Sequence, residues 1–199
     1  MSPESQRDDG EANGLRPGLF VVVVGPSGAG KDTLLALAAE DLADTPGIVF
    51  ARRVVTREAI AAIEDHDVMS RADFAAHQAA GGFCLSWQAH GLAYGLPARL
   101  ETTLADGVTV VANVSRRVLD EAAARFTRLA IVEVTAPQPI LVARIAARGR
   151  ETPEEISARI ARQVELAIPP GAEAHHRIVN DGTPDEGRRR LVEILRNAG

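Results

Sequence analysis

Leu19-Phe20-Val21-Val22-Val23-Val24 runs without a break into Gly25-Pro26-Ser27-Gly28-Ala29-Gly30-Lys31-Asp32-Thr33. The first six residues are all apolar, the pattern of a short strand buried on both faces of a parallel sheet. Gly25, Gly28 and Gly30 then allow the backbone to wrap tightly, and a helical segment follows from Lys31 to Ala43. Backbone N–H groups in such a turn, together with the helix N-terminus behind it, form a nest for anionic oxygens. Strand, glycine loop and helix are the context that a phosphate-binding loop requires.

Lys31 is the only lysine in the chain; every other basic side chain is arginine or histidine. A compact ammonium suits the β/γ-phosphates of a nucleotide, where the bulkier arginine fork fits badly. The segment therefore reads as a nucleoside triphosphate site, with Gly25 to Asp32 as the cradle. The usual pattern places serine or threonine directly after the lysine. Here Asp32 stands there and Thr33 follows. Lys-x-Thr resembles nucleoside monophosphate kinases such as adenylate kinase, which implies that Thr33 contacts Mg²⁺. Asp32 either touches a metal-bound water or faces solvent.

Outward from this loop, strands and helices alternate. Strands are expected at Ile48–Val55, Val108–Val114, Leu129–Thr135 and Ile178–Asn180. Helices are expected at Arg71–Ala80 behind the N-cap Ser70, Pro97–Gly107, Arg116–Phe126, Pro137–Arg148, Glu154–Leu166 and Pro184–Asn197. Phe83–Tyr94 reads as a hairpin bending near Gly91. Such alternation predicts an α/β fold of the P-loop type, a parallel sheet flanked by helices. Ligands then bind beyond the carboxyl ends of the strands, and Gly25, Thr56 and Asn113 lie near such ends.

The chain has 199 residues, a length suited to one domain, or one domain with a small lid. Residues 1–17 are polar and acidic without an apolar stretch, so they read as a disordered tail rather than a signal peptide. Net charge is −5, which gives no support to a nucleic-acid partner. No segment approaches the ~20 apolar residues of a membrane span. The single cysteine, Cys84, rules out an intramolecular disulfide and fits a reducing, cytoplasmic setting. Its apolar neighbours make it a core residue rather than a nucleophile. His175-His176 lack further spaced ligands, so no metal site is expected there. A homodimer is compatible with the sequence but not indicated by it.

From Leu19 onward the chain resembles the guanylate kinase group. Gly25–Lys31 resembles that group's phosphate loop, and Thr56-Arg57 its Thr-Thr-Arg turn. Gly91-Leu92-Ala93-Tyr94-Gly95 resembles its acceptor loop. Arg144–Thr152 with Ile156–Arg159 resembles its lid, and Ile178–Asp181 the strand end beside the donor base. The resemblance implies an acceptor-binding region at about 56–96 and a lid at about 144–162. It implies that Arg57 and Tyr94 hold the acceptor phosphate. It also implies that Arg144 and Asn180 help bind ATP, and that Lys31, Arg148 and Arg159 neutralise charge during transfer. Without it, Arg144 and Arg148 read as a solvated helix face.

The departures matter more. Two positions at which guanylate kinases read guanine with a glutamate and a serine hold Leu85 and Leu96. A buried base edge left unpaired costs about 1–3 kcal/mol per group. A greasy wall at the acceptor site is therefore expected, one that binds phosphate without reading a purine.

This combination resembles the ribose 1,5-bisphosphate phosphokinase family of phosphonate breakdown. The match runs through Gly25–Asp32, Thr56-Arg57, Leu85-Ser86-Trp87, Gly91–Gly95, Arg150-Glu151 and Asn180-Asp181-Gly182. It implies ATP and Mg²⁺ as cofactors and a small sugar phosphate as acceptor. His66 either donates to that sugar phosphate or makes local loop hydrogen bonds; the sequence leaves both open. Trp87 either covers the sugar site or packs on the core. Asn113 and Ser115 stand near where the kinase group has an acidic pair.

Overall fold

A computed structural model describes residues 16–56, 66–89, 91–147 and 165–198. The main sheet contains β1 (Phe20–Val24), β2 (Ile48–Phe50), β7 (Thr109–Asn113), β8 (Leu129–Thr135) and β9 (Ala174–Val179). Its spatial order is β2-β7-β1-β8-β9 and all pairings are parallel. The apolar run is thus the central strand, and Val21 to Val24 have no exposed surface. A second sheet holds β3 (Arg53–Thr56), β4 (His66–Met69), β5 (Phe83–Ala89) and β6 (Leu92–Pro97) in the order β4-β3-β6-β5. The helices are α1 (Lys31–Asp41), α2 (Arg71–Ala79), α3 (Arg99–Ala105), α4 (Leu119–Arg125), α5 (Gln138–Ala146) and α6 (Pro184–Arg196).

Alternate residues of β1 point into two cores. Val21 and Val23 meet Leu34 and Ala38 of α1 and Leu191 and Leu195 of α6. Phe20, Val22 and Val24 join Leu100 and Leu104 of α3 and, from the smaller sheet, Leu85, Trp87 and Leu96. Burying each of these larger side chains stabilises the fold by about 1.5–3 kcal/mol. One face of the acceptor-side sheet is therefore fixed to the main core rather than hanging free.

Side-chain caps start two of the helices. The Ser70 hydroxyl accepts from the Asp73 N–H at 3.1 Å and starts α2. Thr183 and Glu186 form a capping box at the head of α6. That hydrogen bonding, chiefly from the Thr183 backbone, holds the Glu186 carboxyl below its ordinary pKa.

Four expectations need correction. Ile48–Val55 is not one strand: after the Ala51 N–H bonds to the Val111 carbonyl at 2.8 Å, the chain leaves β7 and enters the other sheet as β3. Pro97 closes β6 opposite Phe83 instead of opening a helix, and α3 begins at Arg99. Arg116–Val118 is a 3-10 turn that precedes α4. The last strand starts at Ala174, four residues earlier than hydropathy suggests, because its exposed edge tolerates His175, His176 and Arg177. Strand β4 had no sequence signal, since it carries His66 and Asp67 and leaves Val68 exposed. Of the helix expected at 154–166, residues 154–164 lie outside the described residues and Glu165-Leu166 are not helical; of the tail expected at 1–17, residues 1–15 lie outside them.

Candidate active site

The loop after β1 has the geometry of an anion cradle. Gly25 and Gly30 have φ of 145° and 89°. A Cβ on Gly25 would strike the Val134 carbonyl oxygen, and one on Gly30 would lie 2.5 Å from Asn180 Nδ2. Lys31 Nζ donates to the carbonyl oxygens of Gly25 and Pro26, each at 2.9 Å. The ammonium is thereby curled over the loop that the sequence assigns to phosphate. Thr33 is exposed in the first turn of α1.

The loop is held from behind. Asn180, only 6% exposed, donates through Nδ2 to the Ala29 carbonyl at 2.8 Å. Arg144 in turn donates through Nη1 to the Asn180 carbonyl at 3.0 Å. Both residues expected to bind ATP thus stand at the loop's back, linking α5 and the end of β9 to the cradle.

Asp32 faces solvent but does not stand alone. Its Oδ1 accepts from Asn113 Nδ2 at 2.6 Å and pairs with Arg53 Nη2 at 3.2 Å. The Arg53 guanidinium lies 5.8 Å above the centre of the Tyr94 ring, and Tyr94 stacks on Trp87 with centroids 5.5 Å apart. Thr56 Oγ1 accepts from the Ala93 N–H at 2.8 Å, tying β3 to β6. Arg53 carried no signal in the sequence beyond its place four residues before Arg57. A continuous line therefore runs from the phosphate loop through Asp32 and Arg53 to the aromatic pair of the second sheet.

Leu85 and Leu96 do not form an accessible wall. They face each other across β5 and β6, and they are 1% and 0% exposed. Packing against α3 and β7 covers them. Their consequence for selectivity is negative: no hydrogen-bonding group stands at either position. Trp87 and Tyr94, on the same face farther along the hairpin, form the outer layer. Cys84 is a core thiol, with burial pushing its pKa up to about 11. Of His66, the backbone is described, paired with Arg53 at the edge of the second sheet. Arg57, Arg148 and Arg159 lie outside the described residues.

A family model described as an AAA domain matches residues 20–167. A ribose 1,5-bisphosphate phosphokinase from Rhodopseudomonas palustris is 50% identical over 183 residues, covering 92% of this chain and 91% of the relative. The chain belongs to the ribose 1,5-bisphosphate phosphokinase family. Another member of this family, from Methylobacterium radiotolerans, is 51% identical over 180 residues, covering 90% of this chain and 98% of the relative. The solved guanylate kinase of Anaplasma phagocytophilum shares the fold, with a TM-score of 0.64 at 19% identity over 91% of this chain and 86% of that one. The P-loop kinase fold expected from the sequence is therefore the fold of this ribose 1,5-bisphosphate phosphokinase family member.

Proposed function

We propose that this chain transfers the γ-phosphoryl group of ATP to the 1-phosphate of ribose 1,5-bisphosphate, giving ADP and 5-phosphoribosyl 1-diphosphate. The observation that carries the reading is the identity of half the residues with ribose 1,5-bisphosphate phosphokinases along nearly the full length of both chains. The site supports it. A glycine loop packed too tightly against Val134 and Asn180 to admit a Cβ, with an ammonium folded over it, fits a triphosphate. The neutral positions 85 and 96 fit an acceptor without a purine.

An acceptor phosphate oxygen is already ionised at neutral pH, so no general base is needed. Transfer then depends on alignment and on neutralising crowded negative charge. In this reading Lys31 moves its hydrogen bonds from the Gly25 and Pro26 carbonyls to the donor phosphates. Arg57 and Tyr94 hold the acceptor, with His66 at its sugar phosphate. Arg148 and Arg159 close over the transferring group, while Arg144 and Asn180 keep the loop in shape. Mg²⁺ bound with ATP would be held by Thr33 and would screen the β/γ oxygens. The enzyme then serves phosphonate breakdown in the cytoplasm, as a monomer or homodimer, with no role for nucleic acid or membrane. Among the described residues no helix is long and apolar enough to cross a membrane.

The test is a phosphorus NMR time course with ATP, Mg²⁺ and ribose 1,5-bisphosphate, run beside GMP and other nucleoside monophosphates. Diphosphate resonances that appear only with the bisphosphate support the reading. Turnover of GMP with the bisphosphate left untouched overturns it.

A further inference from the structure

Arg53 stands where the two halves of the site meet. It begins β3 in the acceptor-side sheet, yet its Nη2 reaches Asp32, the residue next to Lys31 in the donor loop. Its side chain is 16% exposed, against 54% for Asp32. The guanidinium has the Tyr94 ring beneath it and a carboxylate at one corner, and that carboxylate is itself fixed by Asn113. A solvated arginine would lose rotamer freedom in such a place for little return, because exposed ion pairs contribute little. A largely buried and oriented fork is instead suited to phosphate, which it can grip through two parallel N–H groups.

The charge arrangement points the same way. Asp32 follows Lys31 in the loop and pairs with Arg53 of the second sheet. Donor and acceptor both bring phosphate to this junction, and their mutual repulsion is the main obstacle to approach. A second cation, held by the loop's own Asp32, offsets that repulsion when the substrates arrive. The aspartate at the position where serine or threonine usually follows the lysine thereby acquires a purpose: it holds an arginine.

We propose that Arg53 is a substrate-contacting residue that grips the acceptor's reacting phosphate beside the donor loop, with Asp32 and Asn113 as its positioning pair. This inference rests on the reading of the chain as a phosphate-acceptor kinase. It adds a residue to that reaction, and it links the unusual loop aspartate to the acceptor rather than to the metal.

The test uses the full-length chain, with ATP affinity measured by calorimetry and initial rates measured with whichever phosphate acceptor the wild type turns over. Arg53→Ala is expected to keep ATP affinity within about twofold and to raise the acceptor KM about 10–100-fold, the range for losing one charge-assisted phosphate contact. Arg53→Lys, which keeps the charge but loses the fork, is expected to recover part of that loss. Asp32→Asn is expected to raise acceptor KM more than it changes ATP affinity. An Arg53→Ala enzyme with wild-type acceptor KM and kcat overturns the proposal. Equal loss of ATP and acceptor affinity in both arginine variants also overturns it, because that pattern marks a purely structural pair. If Arg53→Ala fails to fold, Arg53→Lys alone decides: wild-type acceptor KM in that variant counts against the fork. A wild type that turns over GMP and ignores the bisphosphate sinks the substrate assignment, and Arg53 is then judged on GMP.

Discussion

Asn180 Nδ2 donates to the Ala29 carbonyl at 2.8 Å, across 151 residues of sequence. This one bond joins the end of β9 to the middle of the phosphate loop. Because both partners are buried, losing it leaves the Ala29 carbonyl without its amide donor, at a cost of about 1–3 kcal/mol. Asn180→Ala should lower the denaturant midpoint accordingly and weaken ATP binding. Asn180→Asp should do worse on both counts, since it sets a carboxylate oxygen against a carbonyl oxygen. Paired denaturation and calorimetric titrations check this.

Gly25 has no room for a side chain, because a Cβ there meets the backbone of β8 at Val134 rather than a movable group. Its φ of 145° adds strain for any other residue. Gly25→Ala is expected to lose several tens-fold in ATP affinity and to unfold earlier by about 1–3 kcal/mol. Gly47, also at positive φ but with nothing near its Cβ position, is the control. Gly47→Ala should cost less and leave ATP affinity unchanged.

Lys31 donates to two loop carbonyls, and water can take its place as their donor. Lys31→Ala should therefore keep its melting temperature within a few degrees. Its kcat should fall by at least about 10²–10³, the scale for removing one preorganised charge-stabilising donor. Rapid-quench measurement of ADP formation reads the chemical step.

Cys84 provides a pH signature. Its thiol is held protonated up to about 11, chiefly by burial. The unfolded chain ionises its thiol near pH 9, so between about 9 and 11 the unfolded state binds fewer protons than the folded one. Stability contributed by this group is complete below that window and declines as pH rises through it, by at most about 1.4 kcal/mol per pH unit. The difference between wild type and Cys84→Ala, from denaturant midpoints at pH 8 and pH 10.5, should show that decline. A thiol reagent at pH 8 should label Cys84 only after unfolding.

The main sheet was legible because its central strand is continuously apolar and its loop carries three glycines and the sole lysine. The loop's supports were less visible. Asn180 is a short polar residue at a strand end, and nothing local shows that its amide reaches back to Ala29. Arg53 was hidden for a similar reason: a parallel sheet and a separate four-stranded sheet must both form before β3 faces Asp32. Leu85 and Leu96 show the opposite case. Their polarity was read from the sequence, but their depth was not, because burial depends on how the second sheet packs on α3 and β7. Strand β4 escaped notice because an edge strand open to solvent needs no alternating pattern.

A phosphate cradle and an acceptor side with no hydrogen-bonding side chain at positions 85 and 96 suit this chain to phosphorylate a sugar phosphate. Phosphorus NMR of the purified protein with ATP, Mg²⁺ and ribose 1,5-bisphosphate is the decisive measurement. Coupled ADP and sugar diphosphate resonances are expected to grow in equal amounts, with GMP inert under the same conditions. Sustained conversion of GMP to GDP, with the bisphosphate unchanged, would rule out a sugar-phosphate acceptor.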